Sequence, residues 1–149
     1  MSRSVLAITD IRPAYTAMIA ERYDLHRYDL LDDKSAFLAE MGAKITAIVT
    51  SARFGVPVGL MDQLPNLEVI TSFGVGHDLI DLAACRARGI RVSTTPDILT
   101  DDVADTAIML MHANMRQLLG GDDWVRSGKW AANGPMALTR SLRGKKLGI

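Results

Sequence analysis

The chain reads as an α/β fold, a parallel sheet with helices on both faces. Three observations predict it. Apolar, β-branched runs alternate with helically spaced apolar residues five times within about a hundred residues. The runs themselves, such as Val5-Leu6-Ala7-Ile8, are apolar throughout instead of alternating, which marks strands covered on both faces. Glycine and proline punctuate the joins.

Taken in order, Val5 to Ile8 is the first strand. Ile11, Ala14, Tyr15, Met18 and Ile19 then follow helical spacing, with Pro13 at the helix start, where its missing N–H costs nothing. Asp24 to Tyr28 is a weaker second strand, and Ser35 to Met41 a short helix ended by Gly42. Ile45-Thr46-Ala47-Ile48-Val49 is strongly β-branched and forms the third strand. Thr50 to Gly55 is read as the loop at its carboxyl end. A short helix covers Gly59 to Leu64, and Pro65-Asn66 stops it. Leu67 to Ser72 is the fourth strand.

The fourth strand leads into Ile70-Thr71-Ser72-Phe73-Gly74-Val75-Gly76-His77-Asp78, a strand running through a glycine turn straight into a helix. The two glycines flanking Val75 let the backbone take positive φ and let a ligand approach the amides. Asp78 is the expected N-cap, with Asp81 three residues on in a box-like position. Free N–H groups at a helix start suit an anion such as a carboxylate. Ile80, Ala83, Ala84 and Ala87 make the apolar face of that helix, and Gly89 stops it. Ile90 to Thr94 is the fifth strand, halted at Thr95-Pro96. Ligands in parallel α/β sheets bind beyond the carboxyl ends of the strands. Both the Thr50–Gly55 loop and the Phe73–Asp78 loop belong to that edge.

Beyond Pro96 the pattern changes. Thr100 is an expected N-cap, with Asp101 and Asp102 in the first turn. A long helix is expected from there through Val103 to about Leu119, its stripe formed by Ala104, Ala107, Ile108, Met111, Met115 and Leu118. It suits a position between domains or subunits as well as it suits a core. Gly120-Gly121 should end it, Asp122 to Ser127 add a turn or two, and Gly128-Lys129-Trp130 open a loop. Trp124 and Trp130 suit burial against something that this thin segment wraps around. Leu142 to Ile149 reads as a basic turn entering a new buried strand, as though the chain were cut inside it.

Composition narrows the function. Lys plus Arg and Asp plus Glu number 17 each, so no overall basic field is present for a polynucleotide. The locally basic run from Arg116 to Lys146 reads as a solvated loop. No stretch approaches the ~20 apolar residues of a membrane span, and the start lacks a secretory pattern, so cytoplasm is expected. The lone Cys85 sits among alanines, where a small buried residue is the default over a nucleophile. His26, His77 and His112 lie far apart without ligand-spaced partners, so no metal site is expected. Of the three, only His77, in the glycine loop, has a route to a ligand. No nucleophile elbow, phosphate loop or zinc signature occurs, and Gly74-Val75-Gly76 lacks the third glycine of a dinucleotide fingerprint.

Ser72-Phe73-Gly74-Val75-Gly76-His77-Asp78-Leu79-Ile80-Asp81 resembles the glycine-loop signature of the D-isomer-specific 2-hydroxyacid dehydrogenases. The run from Arg88-Gly89-Ile90 through Thr95-Pro96-Asp97 to Val103-Ala104-Asp105 is similar to that family's next block. Ser127-Gly128-Lys129-Trp130 and Leu138 to Ile149 resemble the approach to its cofactor fold. The details are most similar to the glyoxylate/hydroxypyruvate reductase branch. The resemblance implies a flavodoxin-like substrate domain over 1–99. It implies that 100–149 holds an interdomain helix, a dimerisation arm and the first strand of a Rossmann dinucleotide-binding domain.

It also implies reduction of a small 2-keto acid to the D-2-hydroxy acid with NADP or NAD, NADP being slightly favoured, in a homodimer formed through 100–140. The amides of Val75 and Gly76, with Gly74 and Phe73 beside them, would hold the substrate carboxylate. Ser51 and Arg53 would reach its distal end, although Arg53 could instead pair with a surface acid. Thr106 is a weak cofactor candidate. The family's catalytic arginine, acid and histidine would follow Ile149, so none is expected in this chain, and the 149 residues alone should be inactive. Ser93-Thr94-Thr95 departs from the family's usual asparagine before Thr-Pro. The competing reading is a non-catalytic, corepressor-like module that binds or senses a dinucleotide on the same fold.

Overall fold

The computed structural model describes residues 3–9 and 11–148. They form two compact units, 1–98 and 99–149 by chain number. The first is built on a five-stranded sheet: β1 (Ser4–Ala7), β2 (Asp24–Arg27), β3 (Ile45–Ser51), β4 (Val69–Phe73) and β5 (Arg91–Ser93). All pairings are parallel and the order is β2-β1-β3-β4-β5. That is the flavodoxin-like order, whose direction reverses between β1 and β3.

Strand parity decides what faces what. Leu6, Ile48 and Ile70 point to one face, into a core shared with Leu38, Leu60, Leu64, Cys85 and Ile90. Helices α2 (Lys34–Met41) and α3 (Leu82–Ala87) supply Leu38 and Cys85 to that core. Helix α1 (Pro13–Ala20) belongs to the other face, where its Tyr15 ring lies 6.2 Å from Phe73. Both faces therefore carry helix, as the sequence implies, but unequally: Thr71, Arg91 and Ser93 stay exposed on the face that carries α1.

Several local expectations give way to tertiary context. Thr50 and Ser51 belong to β3 and not to the loop, because β4 offers them partners in register, Ser72 and Phe73. The helix expected over Gly59–Leu64 shrinks to a 3-10 turn, Met61–Gln63, between the buried anchors Leu60 and Leu64. Gly59 just before it is left-handed at φ 76°, which breaks any longer helix. Gly42 does not end α2 by a left-handed turn; its φ is −51° and the chain tightens into a 3-10 turn, Gly42–Lys44. It is glycine for space, since a Cβ there would collide with the Gln63 carbonyl oxygen.

The second unit contains α4 (Thr100–Met115), α5 (Leu118–Arg126) and α6 (Lys129–Asn133). Thr100 is the first helical residue of α4, not its cap; Leu99 takes the cap position and no side chain caps the helix. The break expected at Gly120-Gly121 occurs earlier, at Gln117, whose φ of 51° turns the chain left-handed. Both glycines then sit inside the first turns of α5. Gly128 (φ 77°) starts α6 where a loop is expected, and the Trp124 indole N–H closes that segment by donating to the Gly134 carbonyl at 2.9 Å. No strand forms over 142–148: no neighbouring strand pairs with this stretch among the described residues, and Leu147 is 64% exposed. Ile149, the expected end of that strand, lies outside the described residues.

Candidate carboxylate-binding edge

Three strand ends converge at the carboxyl edge of the sheet. The N–H of Ala52 donates to the Phe73 carbonyl at 3.0 Å, carrying the pairing with β4 one residue past the end of β3. Ser51 lies opposite Phe73 in that ladder. The buried Thr50 hydroxyl donates to the Gly55 carbonyl and holds the 52–55 turn down. Val56 N–H donates to the Leu79 carbonyl at 3.0 Å, and a Cβ at Gly55 would collide with Leu79. The two loops singled out in the sequence are thus bolted to each other.

Within the glycine loop, Gly74 has φ 124°, a conformation essentially reserved to glycine, and a Cβ there would sit 2.8 Å from that of Ala52. Gly76 differs from expectation: its φ lies outside the left-handed range, and a Cβ would meet only Asp78 Oδ2 at 3.5 Å and Ala52 Cβ at 3.6 Å. The Gly74 N–H donates to Thr95 Oγ1 at 3.1 Å, and the Gly74 carbonyl accepts the Thr95 N–H at 2.9 Å. The N–H groups of Val75 and Gly76 have no protein acceptor among the described residues. Both belong to an open loop, with Val75 43% exposed. Two successive free amides of this kind can bind a carboxylate.

The helix beyond the loop is displaced from its expected start. Asp81, not Asp78, caps α3, accepting the Ala84 N–H at 2.8 Å. Residues 77–80 are taken up by a turn closed by the Ile80 N–H donating to the His77 carbonyl at 2.9 Å. The free amides at 75 and 76 therefore lie in the loop ahead of that turn and not at a helix start. His77 and Asp78 are exposed.

Arg53 is exposed, with its guanidinium 5.6 Å from the Phe54 ring centroid. It has no acidic partner among the described residues, so the surface ion pair considered for it is not formed. Sequence reasoning missed two residues here. Arg12, preceding α1, places its guanidinium 5.9 Å from the centroid of Phe73, a ring 43% exposed. Thr95 grips Gly74 from the end of β5; its signal was a β-branched hydroxyl residue immediately before a proline at a strand end.

In the second unit Thr106 donates its hydroxyl to the Asp102 carbonyl of its own helix at 2.7 Å. No described residue there forms a glycine turn between a strand and a helix, the usual seat of a pyrophosphate. The described residues do not by themselves fit a dinucleotide. No group of three or more metal-ligating side chains occurs among the described residues. His26 is paired with Asp24 at 3.0 Å, and His112 is exposed on α4. No helix of the described residues is long and apolar enough to cross a membrane.

A family model for the catalytic domain of D-isomer specific 2-hydroxyacid dehydrogenases matches residues 5–143. The chain is 45% identical over 131 residues to a glyoxylate/hydroxypyruvate reductase of Arabidopsis thaliana, covering 88% of this chain and 42% of that protein. Among solved structures, a 2-hydroxyacid dehydrogenase from Ketogulonicigenium vulgare superposes with a TM-score of 0.83 at 42% identity, covering 97% of this chain and 46% of that one. An NADPH-dependent glyoxylate/hydroxypyruvate reductase from Sinorhizobium meliloti, in complex with NADP and malonate, gives 0.76 at 35% identity, covering 97% and 44%. The chain spans less than half the length of the curated relatives it matches.

Proposed function

The chain belongs to the D-isomer specific 2-hydroxyacid dehydrogenase family, and we propose that it is the substrate-holding part of an NADP- or NAD-dependent reductase of a small 2-keto acid. Glyoxylate and hydroxypyruvate are the leading substrates. The observation that carries this reading is the pair of free N–H groups at Val75 and Gly76 on the strand-end edge. Each charge-assisted bond from such an amide to a carboxylate contributes about 1.5–3 kcal/mol. Gly74 sets the turn, Phe73 walls it, and Ser51 at the end of β3 and Arg53 on the loop after it meet the distal end of the substrate. An uncompensated guanidinium nearby favours an anionic ligand.

In this reading the chain binds and orients the keto acid. The hydride donor's main site and the proton donor lie outside these 149 residues, with Thr106 a minor contact on the cofactor side. Residues 1–99 form the substrate domain, and 100–149 open the cofactor domain. The dimer is assigned to 100–140, where Ile108, Leu110, Leu119, Val125 and Trp130 are exposed. A cytoplasmic location is proposed with it.

The test is an NMR titration of the ¹⁵N-labelled chain with glyoxylate and hydroxypyruvate. Saturable shifts at the Val75 and Gly76 amides are expected, and titration leaving both unmoved would refute the clamp. For a longer chain containing this sequence, oxidation of NADPH or NADH by either keto acid is expected. Dinucleotide binding without turnover would point to the non-catalytic module instead.

A further inference from the structure

Building on the reading of Val75 and Gly76 as a carboxylate clamp, we propose that Thr95 is the positioning residue that aims the clamp, acting through Gly74. Thr95 holds both peptide groups that flank the Gly74 Cα. Its hydroxyl accepts the Gly74 N–H at 3.1 Å, and its own N–H donates to the Gly74 carbonyl at 2.9 Å. The only soft torsions between those two planar peptides are φ and ψ of Gly74. Fixing both planes from one partner therefore fixes the glycine, the residue with the most conformational freedom to lose.

The second bond has a directional consequence. The Gly74 carbonyl and the Val75 N–H share one peptide plane, and no cis peptide bond occurs among the described residues. In a trans peptide the C=O and N–H point in opposite directions. Anchoring the carbonyl on Thr95 therefore turns the Val75 N–H away from Thr95. The first bond occupies the Gly74 N–H, so the clamp starts at Val75. Thr95 is itself preset: the following Pro96 holds it in extended backbone, and its β-branch limits χ1.

The experiment compares the ¹⁵N-labelled chain with Thr95→Val, which keeps the backbone bond and the branch but loses the hydroxyl, and with Thr95→Ser, which restores the hydroxyl. Amide hydrogen exchange at Gly74 should quicken at least tenfold in Thr95→Val and stay near wild type in Thr95→Ser. Glyoxylate affinity, read at the Val75 and Gly76 amides, should fall about tenfold in Thr95→Val and recover in Thr95→Ser, the scale of one hydrogen bond. Unchanged exchange, or quickened exchange with unchanged affinity, would overturn the role, as would a serine variant that rescues neither. If wild type itself ignores glyoxylate, the clamp reading and the aiming role both fail, while the Gly74 exchange data still decide whether the hydroxyl holds the loop. Should Thr95→Val lose its dispersed spectrum, Thr95→Ala takes its place. Collapse of both, with Thr95→Ser folded, would overturn positioning in favour of a fold-supporting role.

Discussion

Gly74 and Gly76 look alike in the chain and differ in what they tolerate. Gly74→Ala puts a methyl 2.8 Å from Ala52 in a backbone conformation that side chains avoid. It should cost about 1–3 kcal/mol in urea unfolding and abolish the keto-acid shifts. Gly76→Ala meets only ordinary contacts, and its unfolding midpoint should stay close to wild type. Ser72 is the converse case, a fully buried hydroxyl whose oxygen has no hydrogen-bond partner among the described residues. Ser72→Ala removes an unsatisfied group, so stability should hold or rise by about 1 kcal/mol; a loss above that would mean the hydroxyl has a partner in solution. Cys85 is 2% exposed on α3. Burial pushes its thiol above the ordinary thiol range, and the charge of Asp81 adds to this while Arg88 opposes it. Because the folded-state value is raised, the stability tied to the protonated thiol is complete below the unfolded-state value. It is lost as pH rises from there through the raised one. The native chain should therefore resist alkylation at neutral pH and react only on unfolding.

At the scale of elements, the start of α3 gives the capping role expected of Asp78 to Asp81. Asp81 accepts the Ala84 N–H, whereas Asp78 lies in the preceding turn. Asp81→Ala should lower stability by about 1 kcal/mol and Asp78→Ala by less than about 0.5 kcal/mol, measured by chemical denaturation. Equal effects would contradict the displaced helix start. The three helices that follow differ from α2 and α3, which bury Leu38 and Cys85, since none of α4, α5 and α6 contains a buried residue. Their apolar side chains have no core to fill within their own unit. This is why a stripe that reads as amphipathic helix in the chain remains exposed in the fold.

For the whole molecule, the reversal of strand order between β1 and β3 opens a crevice at the carboxyl edge, since neighbouring loops leave the sheet in opposite directions there. Arg12 leaves from β1, Arg53 from β3 and the glycine loop from β4, so one edge combines two guanidiniums with two free amides. At the same scale, the dimer proposed for 100–140 predicts self-association. Leu119→Lys, at a side chain 84% exposed, and Trp130→Lys should each weaken it at least tenfold in sedimentation equilibrium. A chain that is monomeric at all concentrations would remove the arm from the account.

Much of this was legible in the chain because it is local. The run Val5-Leu6-Ala7-Ile8 had to be buried whatever its partners, and all four residues are. A glycine turn ending a β-branched strand had to be tight, and Gly74 takes a conformation that only glycine holds cheaply. The parallel sheet followed from the alternation of the two periodicities. What the chain could not disclose were choices settled by distant partners. β3 extends to Ser51 because β4 is beside it, and α3 starts late because Leu79 is engaged by Val56. The Gly74 amide is spent on Thr95, 21 residues away, which leaves Val75 and Gly76 free. A hydrogen bond between residues so far apart leaves no periodicity to read; it exists only once the sheet has brought β4 and β5 side by side.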